Sequence, residues 1–286
     1  LLLLAPLCLA TMQGAAAPRL PADEREVLER LPVRPGDPVA AELRKLRAAA
    51  AADPVDAAAA GPLARRYFAL AMAQGDPRYV GYAEAALRPW QGAAQAPAEV
   101  LVLRAMLRQY RHDFDGALGD LARALQSEPE NADAHAWRAA IFMVRADYAA
   151  VARECAALAA LADDLQATGC SAYLEATTGK ARSAYARLLG ALQSAPDAGR
   201  GQRLWVLTRL AEIAWRLGDA AAAERHFRDA LALDLTDNFL LAAYADFLLE
   251  RRRDREVVDL LQEHTRSDTL LLRLALAERA LGLPGA

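Results

Sequence analysis

The sequence predicts an all-α protein that is built from repeated pairs of short antiparallel helices. Hydrophobic residues make up 55% of the 286 residues and are led by Ala and Leu, whereas the β-branched residues that favour strands are sparse. Apolar residues recur at the spacing of one helical face. The same pattern then returns along the chain at a period of roughly 34 residues, which is typical of a repeat protein.

The clearest repeat lies at residues 204–235, where Gly218 and Asp219 separate two apolar segments. Each segment spaces its apolar residues at helical intervals, so each predicts a helix with one buried face. These faces are formed by Leu207, Leu210, Ala211 and Ala214 in the first helix and by Ala223, Phe227 and Ala230 in the second. The small residues indicate two helices that approach closely, with Phe227 filling the space between them.

This order of residues resembles the tetratricopeptide repeat (TPR), a helix-turn-helix unit of about 34 residues. The resemblance recurs in six units, at residues 61–94, 98–131, 132–164, 165–198, 204–237 and 238–267. It covers about three quarters of the chain and implies a right-handed superhelical solenoid of antiparallel helix pairs. Each unit of such an array contacts mainly its neighbours, so a division into globular domains does not apply.

The first 16 residues are apolar, end in small residues and are typical of a secretory signal peptide that is cleaved after Ala16. They include no initiator methionine and no basic residue, so we expect this copy to be truncated at its start. The alternatives are a buried first helix or the end of a membrane anchor, although roughly ten apolar residues are too few to span a bilayer. We therefore expect an exported protein, and the Arg- and Ala-rich composition favours a bacterial periplasm.

The segments that flank the six units have their own patterns. Residues 17–36 mix prolines with charges and predict an extended leader. Residues 37–60 predict N-terminal capping helices, and we expect Gly61 and Pro62 to interrupt the second of them. Residues 268–286 predict the first helix of a further, incomplete unit, so we expect the natural chain to continue.

The sequence disfavours several classes of function. Its net charge of −3 argues against a nucleic-acid-binding protein, which usually presents a basic face. It contains no glycine-rich phosphate loop, nucleophile elbow, HExxH motif or Cys-x-x-Cys pair. We therefore expect no catalysis, no cofactor, no metal site and no stable membrane span. The four histidines lie in different units, and we expect structural or surface roles for His112, His135, His226 and His264.

Two charged clusters have simple structural interpretations. Asp163 and Asp164 lie in a turn between units, where we expect them to cap a helix rather than act as an acid-base pair. The run from Arg251 to Arg253 is followed by acidic residues, which favours a solvated turn over a contact with an anion or a lipid headgroup.

The resemblance to TPR proteins also implies a ligand-binding surface, because the first helix of each unit lines the concave face in that family. The family positions correspond in this chain to Met72, Val102, Met106, Tyr110, Met143, Tyr173, Trp205, Glu212, Trp215, Arg216, Phe239 and Asp246. Met and aromatic side chains predominate, as in adaptable recognition surfaces. The alternative for any one of them is packing against a neighbouring first helix. The Lys, Arg and Asn clamp of chaperone-tail receptors is missing, because Met106, Ala136, Ala140 and Tyr173 occupy those positions.

Two functions from different classes remain open. The first is a non-catalytic scaffold of the bacterial envelope, which binds an extended peptide or a partner helix in its concave groove. The second is a subunit or accessory part of an envelope enzyme, with chemistry in a groove-end pocket around Glu212, Asp246 and Arg216 or in the missing continuation. A buried carboxylate with a perturbed pKa in that pocket would favour the second.

The cysteines add one expectation. Once Cys8 leaves with the signal peptide, Cys155 and Cys170 remain, on a second helix and on the next first helix. An oxidising compartment allows such a pair to form a disulfide if the helices are adjacent. The alternative is two small buried thiols that do not meet.

Overall fold

The computed structural model describes Asp23 and residues 36–93, 95–264 and 266–283. These residues form fourteen α-helices and no strand, so the fold is an α-solenoid, as predicted. The helices are α1 (Pro38–Ala52), α2 (Ala57–Gln74), α3 (Arg78–Ala86), α4 (Ala98–Tyr110), α5 (Phe114–Ser127), α6 (Ala132–Val144), α7 (Tyr148–Leu161), α8 (Asp164–Thr177), α9 (Ala181–Ser194), α10 (Arg200–Arg216), α11 (Ala220–Leu231), α12 (Asn238–Glu250), α13 (Asp254–Leu261) and α14 (Asp268–Leu281). The predicted signal peptide and most of the leader lie outside the described residues.

The chain divides into two compact units, residues 1–41 and residues 42–286. Within the first, Asp37 caps the start of α1 by accepting hydrogen bonds from the backbone N–H groups of Val39 and Ala40. Within the second, α2 to α13 form six consecutive helix pairs, and α14 follows the last pair.

A recurring cap sets the spacing of the pairs. Asp113, Asp147 and Asp219 each accept a hydrogen bond from the backbone N–H three residues later, and each thereby begins a second helix. The residue before each cap has a positive φ, with values of 61° at His112, 57° at Ala146 and 79° at Gly218. The turn between the two helices therefore has the same local geometry in these three units.

The expected break at Gly61 and Pro62 is wrong, because α2 runs through both residues. Asp56 caps the helix at Ala58, so Pro62 lies near its start and removes one backbone hydrogen bond without ending the helix. A Cβ atom at Gly61 would lie 2.6 Å from Oε1 of Glu99, so the Glu99 carboxylate of α4 lies against the backbone of α2. The predicted capping region 37–60 is consequently α1 and the beginning of α2.

The core is continuous from α8 to α14. The predicted positions Ala223, Phe227 and Ala230 are fully buried on α11. The ring of Phe227 stacks on Tyr244 of α12, with ring centroids 5.1 Å apart, which joins the fifth pair to the sixth.

The second unit also curves back on itself, because the turn between α2 and α3 packs against the last pairs. A Cβ atom at Gly75 would lie 2.5 Å from Nδ2 of Asn238 at the start of α12 and 2.5 Å from Cβ of Ser267 before α14. Gly75 also has a φ of 65°, so both its conformation and its surroundings require glycine. The neighbouring Asp76 is buried and pairs with Arg78. The first helix pair therefore contacts the sixth.

Candidate functional site

The concave side of the first pairs is filled by side chains. Phe68 of α2 is buried and meets the ring of Tyr110 edge-on at 6.4 Å and that of Trp137 at 6.0 Å between centroids. Arg65 of α2 also forms an ion pair with Asp133 of α6, with Nη1 3.2 Å from Oδ2. The helix α2 thereby connects to α6 across the second pair.

Val102 and Met106 do not line a groove as predicted, because only 1% and 5% of their surfaces are exposed. They are core residues of α4. The family positions identify α4 as a first helix, but they do not show that these two side chains are buried. Met72, which is 39% exposed, and the half-buried Tyr110 lie on the same half of the array but outside the cavity described next.

An open cavity of about 810 Å³ lies along the first helices of the third to sixth pairs. Its lining comes from α6, α8, α10 and α12, with two side chains of α7, and is mainly apolar. The residues are Ala136, Trp137, Ala139, Ala140, Met143, Val144, Val151, Leu158, Asp163, Gln166, Cys170, Tyr173, Gln202, Trp205, Arg209 and Phe239. Among the predicted groove residues, the cavity therefore brings together Met143, Tyr173, Trp205 and Phe239.

The indole of Trp205 forms part of the cavity wall because of a glycine opposite it. A Cβ atom at Gly169 of α8 would overlap Cζ3 of Trp205, so the ring lies directly on the backbone of α8. The residue remains 37% exposed, and Phe239 on α12 is 45% exposed. Two large aromatic side chains thus face solvent on one concave surface.

The polar residues near the start of α10 form a small network. Asp163 caps α8 through the N–H of Gln166, as predicted, and also accepts hydrogen bonds from Nε2 of Gln202 at 2.8 and 3.0 Å. The side-chain amide of Gln166 has no hydrogen-bond partner within the described ranges. The cavity therefore offers an amide group to a ligand.

Arg209 is a site residue that the sequence analysis missed. Its guanidinium lies between two aromatic rings, 4.6 Å from the centroid of Tyr173 and 4.4 Å from that of Phe239. Its Nη1 lies 2.8 Å from Oε2 of Glu212, and only 8% of the residue is exposed. The available signal was the presence of one cation in the mainly apolar segment LWVLTRLAEIAW.

Glu212 is largely buried, and burial raises the pKa of its carboxyl, while the charges of Arg209 and Arg216 act in the opposite direction. The other predicted members of the groove-end pocket have separate partners. Asp246 pairs with Arg273 of α14, with Oδ1 2.8 Å from Nε. Arg216 donates to the backbone oxygen of Ala176 at 3.2 Å. Neither Asp246 nor Arg216 lines the cavity.

Trp215 also lies outside the cavity lining. Its Nε1 donates a hydrogen bond to Oε2 of Glu250 at 2.9 Å, and its ring meets Phe247 edge-on. Trp215 therefore joins α10 to α12 as a packing residue.

A disulfide joins Cys155 of α7 to Cys170 of α8, with the Cα atoms 5.6 Å apart. Ala139, Val151, Phe142, Met143 and Leu174 surround it in a small apolar cluster. Since Cys170 and Met143 also line the cavity, the disulfide connects the third and fourth pairs directly behind the site.

Two of the four histidines make side-chain contacts within the fold. His135 contacts Glu154, with Nδ1 2.7 Å from Oε2, and Nε2 of His226 lies 2.7 Å from the hydroxyl of Tyr185. Arg253 pairs with Glu256, as predicted for a self-paired turn, but also with Glu224 of α11, so this end of the arginine run is partly buried between two pairs rather than solvated. No cluster of acidic, His or Cys side chains that could hold a metal occurs in the described part of the chain.

Of the helices in the described ranges, none combines the length and hydrophobicity that a membrane crossing requires. No family model and no curated protein sequence matches the chain.

Several solved structures share the fold. A tetratricopeptide repeat protein from Parabacteroides merdae matches with a TM-score of 0.59 and 15% identity, over 84% of this chain and 92% of that one. The Cut9–Hcn1 hetero-tetramer of the APC/C matches with a TM-score of 0.58 and 14% identity, over 86% of this chain and 47% of that one. Human IFIT1, solved as a dimer with PPP-AAAA, matches with a TM-score of 0.54 and 14% identity, over 84% of this chain and 58% of that one. Together with the repeated helix pairs, these similarities show that the chain has a tetratricopeptide-repeat fold.

Proposed function

We propose that the protein is a non-catalytic interaction scaffold whose concave cavity, between α6 and α12, binds an apolar segment of a partner protein. The observation that carries this proposal is a cavity of about 810 Å³ with a mainly apolar lining and two partly exposed aromatic anchors, Trp205 and Phe239. Large aromatic residues in such positions often supply most of the binding energy of an interface.

The chemistry of the lining supports a peptide rather than a nucleic acid. The one arginine in the lining is paired with Glu212, and the chain has a net charge of −3. Gln166 and Gln202 supply amide groups that can pair with the main chain of a bound segment. We further propose that the protein acts in the bacterial envelope, which the signal-like pattern of residues 1–16 and the disulfide support.

The test is selection from a displayed library of random dodecapeptides, followed by titration of a selected peptide into the protein and its variants. We expect apolar peptides to be enriched, and Trp205→Ala to weaken binding about tenfold or more. Tyr82→Ala is the matched control, because Tyr82 is an aromatic residue that is 50% exposed on α3, outside the cavity. Equal affinity for the parent and Trp205→Ala would place the binding surface elsewhere.

One observation favours the second candidate function, an enzyme subunit. The carboxyl of Glu212 is buried with a raised pKa beside the cavity, as in many general acids. Its charged neighbours, however, are arginines, and no nucleophile or metal cluster accompanies it among the described residues. A panel of fluorogenic ester, peptide and glycoside substrates decides the matter: turnover that Glu212→Gln removes would favour the enzyme over the scaffold.

A further inference from the structure

The guanidinium of Arg209 has donors that the described protein does not use. A guanidinium carries five N–H donors in a fixed plane. In this structure Nη1 faces Glu212 at 2.8 Å, whereas Nε is buried without a hydrogen-bond partner among the described residues. Nη2 likewise has no partner in the described ranges, and Arg209 lines the cavity. Nη2 is therefore a donor that is available to a ligand.

The position of this group is fixed before any ligand binds. The rings of Tyr173 and Phe239 hold the guanidinium from two sides, and the side chain is 10% exposed. A stacked guanidinium has few alternative orientations, so little side-chain entropy remains to be lost when a ligand binds. An unpaired donor in an apolar cavity is also costly, which favours a ligand that supplies an acceptor.

The local charge favours an anionic acceptor. Glu212 is the one described carboxylate in contact with Arg209, and it faces Nη1. Asp163 does not supply a second one, because Asp163 is bonded to Gln202, which precedes Arg209 by two helical turns, or about 10 Å. A ligand carboxylate forms a stronger hydrogen bond with a guanidinium than a neutral acceptor does.

We propose that the apolar segment in the cavity carries one acidic side chain, whose carboxylate accepts a charge-assisted hydrogen bond from Nη2 of Arg209. This inference rests on the proposed function and specifies its partner as an apolar peptide with an internal Asp or Glu. An internal position fits better than a chain terminus, because lining residues lie on both sides of Arg209, with Trp205 one turn before it on α10 and Phe239 on α12.

The same dodecapeptide selection tests this inference, and the selected peptides are then synthesised both with amidated and with free C-termini. We expect the enriched sequences to share one Asp or Glu at a fixed place among apolar residues. A selected peptide is then made with Glu or Gln at that place and titrated into the parent protein. The change from Glu to Gln should weaken binding about tenfold, as expected for a hydrogen bond to a charged group.

Arg209→Met keeps an apolar side chain between the two rings but removes the charge. The Glu and Gln peptides should bind this variant with equal affinity, which assigns the discrimination to Arg209. Arg209→Lys is the second variant and should retain part of the preference, because it keeps the charge without the planar donors. The comparison on the parent protein needs no variant and is decisive if both variants fail to fold.

The outcomes separate the two proposals. Enrichment of apolar peptides without an acidic position, or an unchanged preference for Glu on Arg209→Met, would overturn the inference and leave the proposed function intact. Binding only of peptides with a free C-terminal carboxylate would overturn it as well. Failure to enrich any apolar peptide would contradict the proposed function and the inference together.

Discussion

The two halves of the array use the same helix pairs in opposite ways. In α2 to α5 the concave side is packed, with Phe68 buried between Tyr110 and Trp137. In α6 to α13 the corresponding side is an open cavity, and Trp205 lies on Gly169 with its face partly exposed. Both halves are built from helix pairs, and the side chains on the concave side distinguish the packed half from the open one.

The charges show the same contrast. In the first half the carboxylate of Asp120 is fully buried and contacts Arg104, Arg108 and Arg123. In the second half Arg209 pairs with the single carboxylate of Glu212 and lies between the rings of Tyr173 and Phe239. The Asp120 cluster is a structural network, whereas Arg209 lines the cavity, where a ligand can reach it.

The largest expected effect is on stability in the packed half. Phe68→Ala should lower the free energy of unfolding by about 3–5 kcal/mol, because it leaves a cavity beneath α2. Trp205→Ala should cost clearly less, since its ring is partly exposed. Urea denaturation of both variants measures the difference. Equal costs would show that the two halves are not distinct in the way described.

The disulfide gives the next effect, in the open half. Its loss in Cys155→Ser/Cys170→Ser should cost about 3 kcal/mol, the value for a closed loop of roughly 15 residues. Alkylation and mass spectrometry of the unreduced protein test the bond directly. Cys8 serves as the reactive control in chains that retain residues 1–16. Alkylation of both Cys155 and Cys170 would contradict the pairing.

The third effect concerns close helix packing on α11, where overpacking should lower the free energy of unfolding by about 1–3 kcal/mol. Ala223→Leu should destabilise the protein by this amount, because Ala223 is fully buried on α11 and a larger side chain overpacks the site. Ala221→Leu on the same helix is the matched control, since Ala221 is exposed. If the two variants melted at the same temperature, the assigned helix face would be incorrect.

The smallest effect concerns pH and lies outside the cavity. Burial lowers the pKa of His226, with Arg225 acting in the same direction and Asp229 and Asp219 opposing it. The folded state therefore favours neutral His226, so its contribution is complete above the unfolded pKa of about 6.5 and is lost as the pH falls. Thermal unfolding between about pH 7.5 and 5 should show a smaller loss for His226→Gln than for the parent. Identical pH dependence would contradict this assignment.

Local patterns were sufficient to predict the helix pairs. Asp113, Asp147 and Asp219 cap the second helices. The cap is a local feature, because the Asp carboxylate accepts a hydrogen bond from a backbone N–H in the first turn of its own helix. Pro62 was misjudged because its effect depends on its distance from the helix start, which Asp56 determines. Local sequence patterns therefore predict the repeated helix pairs, but they do not predict where α2 begins.

The site was predicted less completely because it depends on contacts between distant helices. Val102 and Met106 occupy family groove positions, but both are buried in the folded protein. Arg209 lies outside those positions and enters the cavity wall only because α8 and α12 supply rings on both sides. The closure of the first pair on the sixth, through Gly75 and Asn238, also has no local signal.

Occupation of the open half by a partner segment can be tested with the four tryptophans. Trp137 and Trp205 line the cavity, whereas Trp90 and Trp215 do not. We would label the protein with 5-fluorotryptophan, assign the ¹⁹F resonances with Trp→Phe variants and titrate a peptide from the dodecapeptide selection. If the peptide binds in the cavity, the resonances of Trp137 and Trp205 should shift at the same peptide concentration, and those of Trp90 and Trp215 should not change. Shifts confined to Trp90 or Trp215 would contradict it.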